Sequence, residues 1–294
     1  MFYKFRSLTS FSGVALIILV AISFATNSTL AKISLDYGAT PLSVLTWRTA
    51  LAAFSVLLIL KFWGVPRVLP PRIRWISISM GGLLATYSYL LISAIEHIPV
   101  ALAVLTFYLY PILTSLGSWV MGQERLTLKI VACLITAFVG LGFALNLGGE
   151  FNSLGISLAT GAAIVFTILL LVNQKFVGGQ ESRTISLHML SSGTFLFLVF
   201  VLIFEGFPLP QSSKGIIAYI GSGVFFSFAI IGMFVGLAKI GAIRTGLFMN
   251  FEPVSSIALG VILLNQVLTP LQLAGAVVVI ASIAVAELVK EPKV

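Results

Sequence analysis

One cysteine, two histidines and a charged fraction of only 9% set the first limits on this 294-residue chain. A lone Cys133 excludes an intrachain disulfide, and two histidines without a cysteine cluster at ligand spacing argue against a metal site. His97 and His188 read as loop and helix-end residues. The shortage of charge says more. Soluble domains carry about 25% charged residues, whereas here 59% are hydrophobic and the mean hydropathy is +1.12. Such a chain is read as an integral membrane protein with the lipid bilayer as its solvent. Catalytic signatures are missing too. There is no phosphate-cradling glycine loop, no HExxH and no GxSxG, and Ser186 and His188 lack a paired acid at a sensible depth. Neither an enzyme nor a cofactor is expected. The net charge of +8 and pI of 9.8 would suggest nucleic acid in a soluble chain, but in a membrane protein they report orientation, so nucleic-acid binding is discounted.

What is present is a series of apolar runs. Stretches of about 18 to 22 residues are long enough to span the hydrocarbon core. They fall near 12–31, 42–60, 75–95, 99–119, 130–147, 154–173, 186–204, 216–236, 245–264 and 270–289. The first could pass for a signal peptide, but it is long enough to span and has no clear small-residue cleavage site. An all-α membrane protein of ten transmembrane helices is expected. With the N-terminus cytoplasmic, the inside collects 14 Lys and Arg, including Lys61, Arg72, Arg125, Lys175 and Lys290. The outside receives 2, Lys32 and Lys214, and Arg48 lies within a span. That bias places both termini in the cytoplasm.

A constant offset of 142 residues aligns the chain with itself without a gap. Gly13 meets Gly155, Phe24 meets Phe166, Gly64 and Pro66 meet Gly206 and Pro208, Pro111 meets Pro253, and Leu126-Thr127 meets Leu268-Thr269. Residues 1–147 and 148–294 are therefore read as two five-helix repeats. Five is odd, so the second half starts on the opposite side of the membrane and the repeats are inverted. Inverted repeats are common in secondary transporters, which open a central site alternately to each side. A duplicated scaffold with no pathway is the bland alternative.

Glu252-Pro253 in FMNFEPVSS aligns with Tyr110-Pro111 in TFYLYPILTS. Each proline interrupts the fourth helix of its half, and paired interruptions point to a binding site near mid-membrane. Tyr108 and Tyr110 stand about 200° apart on an ideal helix, so both face one cavity only where the proline distorts the turn. Tyr110, which matches Glu252, is preferred. Thr26, Tyr89 and Asn173 are further polar or aromatic groups in the spans. Glu252 lies too deep to snorkel, and three states are open to it: protonated, ionised opposite Arg48, or ionised in a wet cavity. Arg48 is either a clamp for a substrate carboxylate or one half of a structural tie. The proposed substrate set is Phe24, Asn27, Tyr87, Tyr110, Phe166, Asn250 and Glu252, with Pro111 and Pro253 as helix breaks and Arg48 as a possible charge partner. Gly232 and Gly236 have a GxxxG-like spacing suited to helix contact, within the chain or between copies. The oligomeric state does not follow from these residues, and a monomer suffices.

The stretches AIEHIPVALAVLTFYLYPILTSLGSWVMGQERLTLKIVACLITAFVGLGFAL and GLAKIGAIRTGLFMNFEPVSSIALGVILLNQVLTPLQLAGAVVVIASIAVAEL carry the same order of features. Each has a mid-helix proline, a small-and-aliphatic run, and an ER-L-T-like turn. In this the chain resembles, over nearly its whole length, the EamA-type branch of the drug/metabolite transporter superfamily. The TFYLYP form is similar to that of bacterial amino-acid exporters in this branch. The resemblance implies a basket-like inverted-repeat bundle in the bacterial inner membrane, exporting aromatic and other neutral amino acids as small-molecule substrates. Two departures stand out. Gln266 occupies a place where the family commonly has an acid, so any cap made by that acid is missing. The first helix also lacks the membrane-embedded glutamate of the small four-helix drug/proton exchangers, so their coupling mechanism does not transfer. A sugar-phosphate or nucleotide-sugar carrier would share the fold but needs several deep cations, and only Arg48 is deep. A non-transporting scaffold or a membrane enzyme is the lesser alternative.

Overall fold

The computed structural model describes residues 2–98, 100–145, 152–176, 181–264 and 269–288. Glu150, Gln266, Lys290 and Lys293 lie outside them, as do the side chains of Lys4, Arg6 and Glu96. Among the described residues the chain forms eleven helices and no strand. They are α1 (Phe2–Asp36), α2 (Pro41–Phe62), α3 (Pro71–His97), α4 (Val100–Phe107), α5 (Tyr110–Val120) and α6 (Leu128–Ala144), then α7 (Ser153–Phe176), α8 (Ser182–Phe204), α9 (Ser213–Met249), α10 (Phe251–Leu264) and α11 (Pro270–Leu288). In lipid every backbone polar group must find a partner within the protein, which favours long uninterrupted helices. Among the described residues seven stretches are long and apolar enough to cross a membrane: Gly13–Asp36, Pro41–Phe62, Pro71–Ala94, Leu102–Val120, Ser153–Phe176, Ser182–Phe204 and Ser213–Met249. Leu128–Ala144, Phe251–Ile262 and Pro270–Ala286 are apolar but shorter.

Helix starts follow local chemistry. Thr40 caps α2 by accepting from the Ser43 N–H, the Ser43 hydroxyl accepts in return from Thr40 N–H, and Pro41 occupies the first turn. Thr127 caps α6 through the Ile130 N–H. Such caps satisfy donors that no earlier carbonyl can reach.

The two interrupted spans differ from the expectation of a proline within a continuous helix. α4 stops at Phe107, Tyr108 and Leu109 form a turn, and α5 begins at Tyr110. In the second half the chain breaks at Asn250 and α10 begins at Phe251. Leu109 N–H reaches Thr106 O and Asn250 N–H reaches Leu247 O, each at 3.2 Å, the short-range bonding that tightens a helix end. Pro111 and Pro253 thus fall in the first turn of a new helix, where the missing N–H would have had no intrahelical partner. The expected loop over 237–244 is also replaced, because α9 continues to Met249 and is cut only at Gly241 (φ 82°, ψ 170°).

The chain forms two compact units. Unit one comprises Met1–Ala85 and Phe176–Lys239, and unit two comprises Thr86–Lys175 and Ile240–Val294. Each draws on both halves of the sequence. In unit one α2 packs extensively on α8. Ser192 donates to Ile78 O at 2.9 Å, Thr184 to Pro66 O at 3.0 Å, and Tyr219 to Ser43 O at 2.9 Å beneath a stacked Trp47. Gly232 and Gly236 lie against Val20 and Ile17 of α1, so this small-residue face is occupied by packing within the chain. In unit two α6 packs extensively on α11, with the Gly140 and Gly275 backbones in close approach. Ile130, buried Cys133, Leu134, Ile243, Leu247 and Ala286 form one of its cores.

Candidate functional site

The two helix breaks generate the chemistry of unit two. At the C-terminal end of α9 the Met249 carbonyl has no intrahelical donor, and the Tyr108 hydroxyl reaches it at 3.5 Å. The Thr167 hydroxyl of α7 reaches the Tyr110 carbonyl at 3.4 Å and lies the same distance from the Thr114 hydroxyl. Asn250 turns its amide nitrogen back onto the carbonyls of Gly246 (3.3 Å) and Leu247 (2.9 Å). That amide therefore serves the break itself, and its NH2 group is committed there.

Glu252 stands in the first turn of α10, where the positive end of the helix dipole favours a carboxylate. Its carboxyl lies beside Tyr108 and Tyr110. Tyr108 and Tyr110 belong to a packed aromatic group: Tyr87 to Phe166 at 4.7 Å, Tyr110 edge-on to Phe166 at 4.8 Å, Phe107 to Tyr110 at 5.2 Å and Tyr108 to Tyr110 at 5.6 Å between centroids. Tyr87, Tyr110, Phe166, Asn250 and Glu252 thus share unit two with Pro111 and Pro253. Phe107 and Tyr108 belong to the same group. Tyr108 is set aside when α4 is treated as an ideal helix, yet the turn at 108–109 rotates it beside Tyr110. The neighbouring proline was the available signal. Tyr89 points away, 58% exposed.

Unit one holds the rest of the expected set. Phe24 meets Phe226 edge-on at 6.0 Å, and the Arg48 guanidinium lies 4.4 Å from the centre of the Phe226 ring, a cation–π contact. Asn27, one turn beyond Phe24 on α1, is buried, and among the described residues its Oδ1 has no hydrogen-bond partner. A buried acceptor without a donor is unusual in a native fold. A separate groove of about 550 Å3 lies at the ends of α2 and α8, lined by residues including Trp63, Glu181, Arg183 and Lys239. There Arg183 donates to Glu181 at 2.6 Å and lies 4.7 Å from the Trp63 ring. That hydrogen bond holds the Glu181 carboxyl below the usual carboxylate range. No group of three or more His, Cys, Asp or Glu comes together among the described residues.

A family model described as "EamA-like transporter family" matches the chain twice, over residues 11–146 and 153–287. The chain is 26% identical over 295 residues to YyaM of Bacillus subtilis, an uncharacterized transporter, covering 94% of this chain and 95% of that one. It is 22% identical over 293 residues to the threonine/homoserine exporter RhtA of Escherichia coli, covering 94% and 92%. A crystal structure of a protein 24% identical in sequence superposes with a TM-score of 0.81, covering 94% of this chain and 97% of the other. At that identity the likeness concerns the fold.

Proposed function

This chain belongs to the EamA-like transporter family, and from that premise we propose that it exports neutral and aromatic amino acids across a bacterial inner membrane by alternating access. A multi-pass membrane transporter of this family handles a small-molecule substrate within lipid. The observation that carries the substrate class is the packed aromatic group Tyr87, Phe107, Tyr108, Tyr110 and Phe166, of which Tyr108 and Tyr110 adjoin one carboxylate, Glu252. Ring faces attract an ammonium group and offer apolar contact area, while a carboxylate at a helix N-terminus adds charge complementarity. Amino acids combine an ammonium with a side chain that such rings can cover. In unit one the proposal assigns Phe24 and Asn27 as further substrate contacts, with the free Asn27 Oδ1 accepting from a donor on the substrate. Arg48 is the group suited to a substrate carboxylate.

The proposed topology has ten spans as two inverted five-helix repeats, divided at 147/148, with both termini cytoplasmic. The breaks at Tyr108 and Asn250, 142 residues apart, support this reading, as does the same offset between the starts of the two family matches. The threonine/homoserine exporter among the relatives supports an amino-acid cargo.

Uptake of labelled amino acids into proteoliposomes, with and without a pH gradient, tests the substrate class and any proton coupling together. Tyr110→Ala and Glu252→Ala are expected to lose transport while the protein still inserts and folds. Wild-type rates in both would overturn the site, and no amino-acid flux in the wild type would overturn the substrate class.

A further inference from the structure

The chain crosses between its compact units at Ala85–Thr86, Lys175–Phe176 and Lys239–Ile240. Two of these crossings adjoin one polar cluster, centred on Glu124 in the turn after α5. Glu124 Oε1 accepts from the Ala242 N–H at 2.7 Å, the Gln174 side-chain amide at 2.6 Å, the Ser118 hydroxyl at 3.3 Å and the Ile243 N–H at 3.5 Å. Gln174 Oε1 accepts a second time from Ala242 N–H, at 3.1 Å. The carboxylate lies flat against Gly241, where an added Cβ would meet Glu124 atoms at 2.7 to 2.8 Å.

Gly241 adopts φ 82° and ψ 170°, a combination open essentially to glycine alone. It ends one helical run and starts another, Ala242–Met249. The first N–H groups of any helix lack intrahelical acceptors, and the usual remedy is a Ser, Thr, Asp or Asn at the cap position. Glycine has no side chain to do this. The acceptors come instead from 118 residues earlier in the chain, as a carboxylate, which suits the positive end of the new helix. That helix leads directly to Asn250 and Glu252.

We propose that Glu124 is a positioning residue: as a remote cap, held by Gln174, it fixes the start of the 242–249 helix and thereby the seat of Asn250 and Glu252. This rests on the substrate role proposed for Glu252. The helix is eight residues long, about 12 Å at 1.5 Å per residue, and it is rigid enough to carry a displacement from one end to the other. Losing the cap frees both ends.

Hydrogen exchange of the intact protein in detergent, read at amides 242–251, tests the cap without reference to transport. In Glu124→Ala, exchange at Ala242 and Ile243 is expected to rise roughly ten-fold, the scale of a lost cap. A smaller rise should extend to Met249–Phe251, with α6 and α11 unchanged. Glu124→Gln, which keeps the shape, should fall between. The exchanged pair Glu124→Gln/Gln174→Glu returns a carboxylate to Ala242 N–H and is expected to recover most of the protection. In the transport assay Glu124→Ala should raise KM several-fold with a smaller change in kcat. Unchanged exchange at Ala242 and Ile243 overturns the cap. Raised exchange confined to those two amides, or an unchanged KM, overturns the positioning. If the wild type carries no amino acid, the substrate reading fails and the exchange arms alone decide the role of Glu124.

Discussion

Tyr108 ties the two helix breaks of unit two together, through its hydroxyl at the Met249 carbonyl and its contact with Glu252. Tyr108→Phe keeps the ring stack and removes only the hydroxyl, so it should cost roughly 1 kcal/mol of stability, as single buried hydrogen bonds do. A lowered Tm in detergent, with the far-UV spectrum unchanged, is the expected result. Tyr110 and Glu252 were legible in the sequence because the repeat set them side by side and because an acid inside an apolar run is conspicuous. Tyr108 was not, since its neighbour relation depends on a turn that an ideal helix does not contain. Glu124 is part of the ER-L-T-like turn read from the sequence, but its role was not legible there. Its partners, Gln174, Ala242 and Ile243, are 50 to 119 residues away, and no local spacing announces them.

At the level of the helix, proline position proved legible and helix boundaries did not. The repeat identifies Pro111 and Pro253 as a pair, yet a sequence cannot distinguish a kink from a restart, because each needs only a missing N–H. The structure chooses the restart, and Tyr108 donates to the Met249 carbonyl left open at the end of α9. Pro253→Ala would give the Met249 carbonyl its own helical donor and let α9 and α10 approach continuity through Asn250. It is expected to leave thermal stability equal or slightly higher while transport falls, and parallel Tm and flux measurements check the opposed signs. Gly241 escaped notice because it lacks the punctuation of a loop. KIGAIR carries one glycine and no proline, and the break there is made by a distant carboxylate rather than by the segment.

On the scale of the whole chain, sequence halves and compact units divide the protein differently. Neither half contains a complete unit, since α2 of the first half packs on α8 of the second and α6 packs on α11. A chain cut in the connection between 147 and 148, with both pieces co-expressed, is therefore expected to co-purify as a folded complex. Either piece alone should be degraded or aggregate. Independent stable folding of residues 1–147 would count against this interdependence. Composition and repeat foretold the membrane class and the interrupted helices, but not this division into units, which depends on helix partners that hydropathy does not encode.

The partners themselves are suggestive. α2 and α8 begin 141 residues apart, and α6 and α11 begin 142 apart, so in each unit an extensive contact joins the two copies of one helix. A helix that meets its own duplicate needs a surface that complements itself, the condition imposed on an isologous two-fold dimer. The present chain thus keeps, inside a single polypeptide, the contacts by which two half-length ancestors could have recognised each other. Substitutions in α2 or α6 are accordingly expected to have been answered across the gap by changes in α8 or α11, leaving a record of paired drift between the halves.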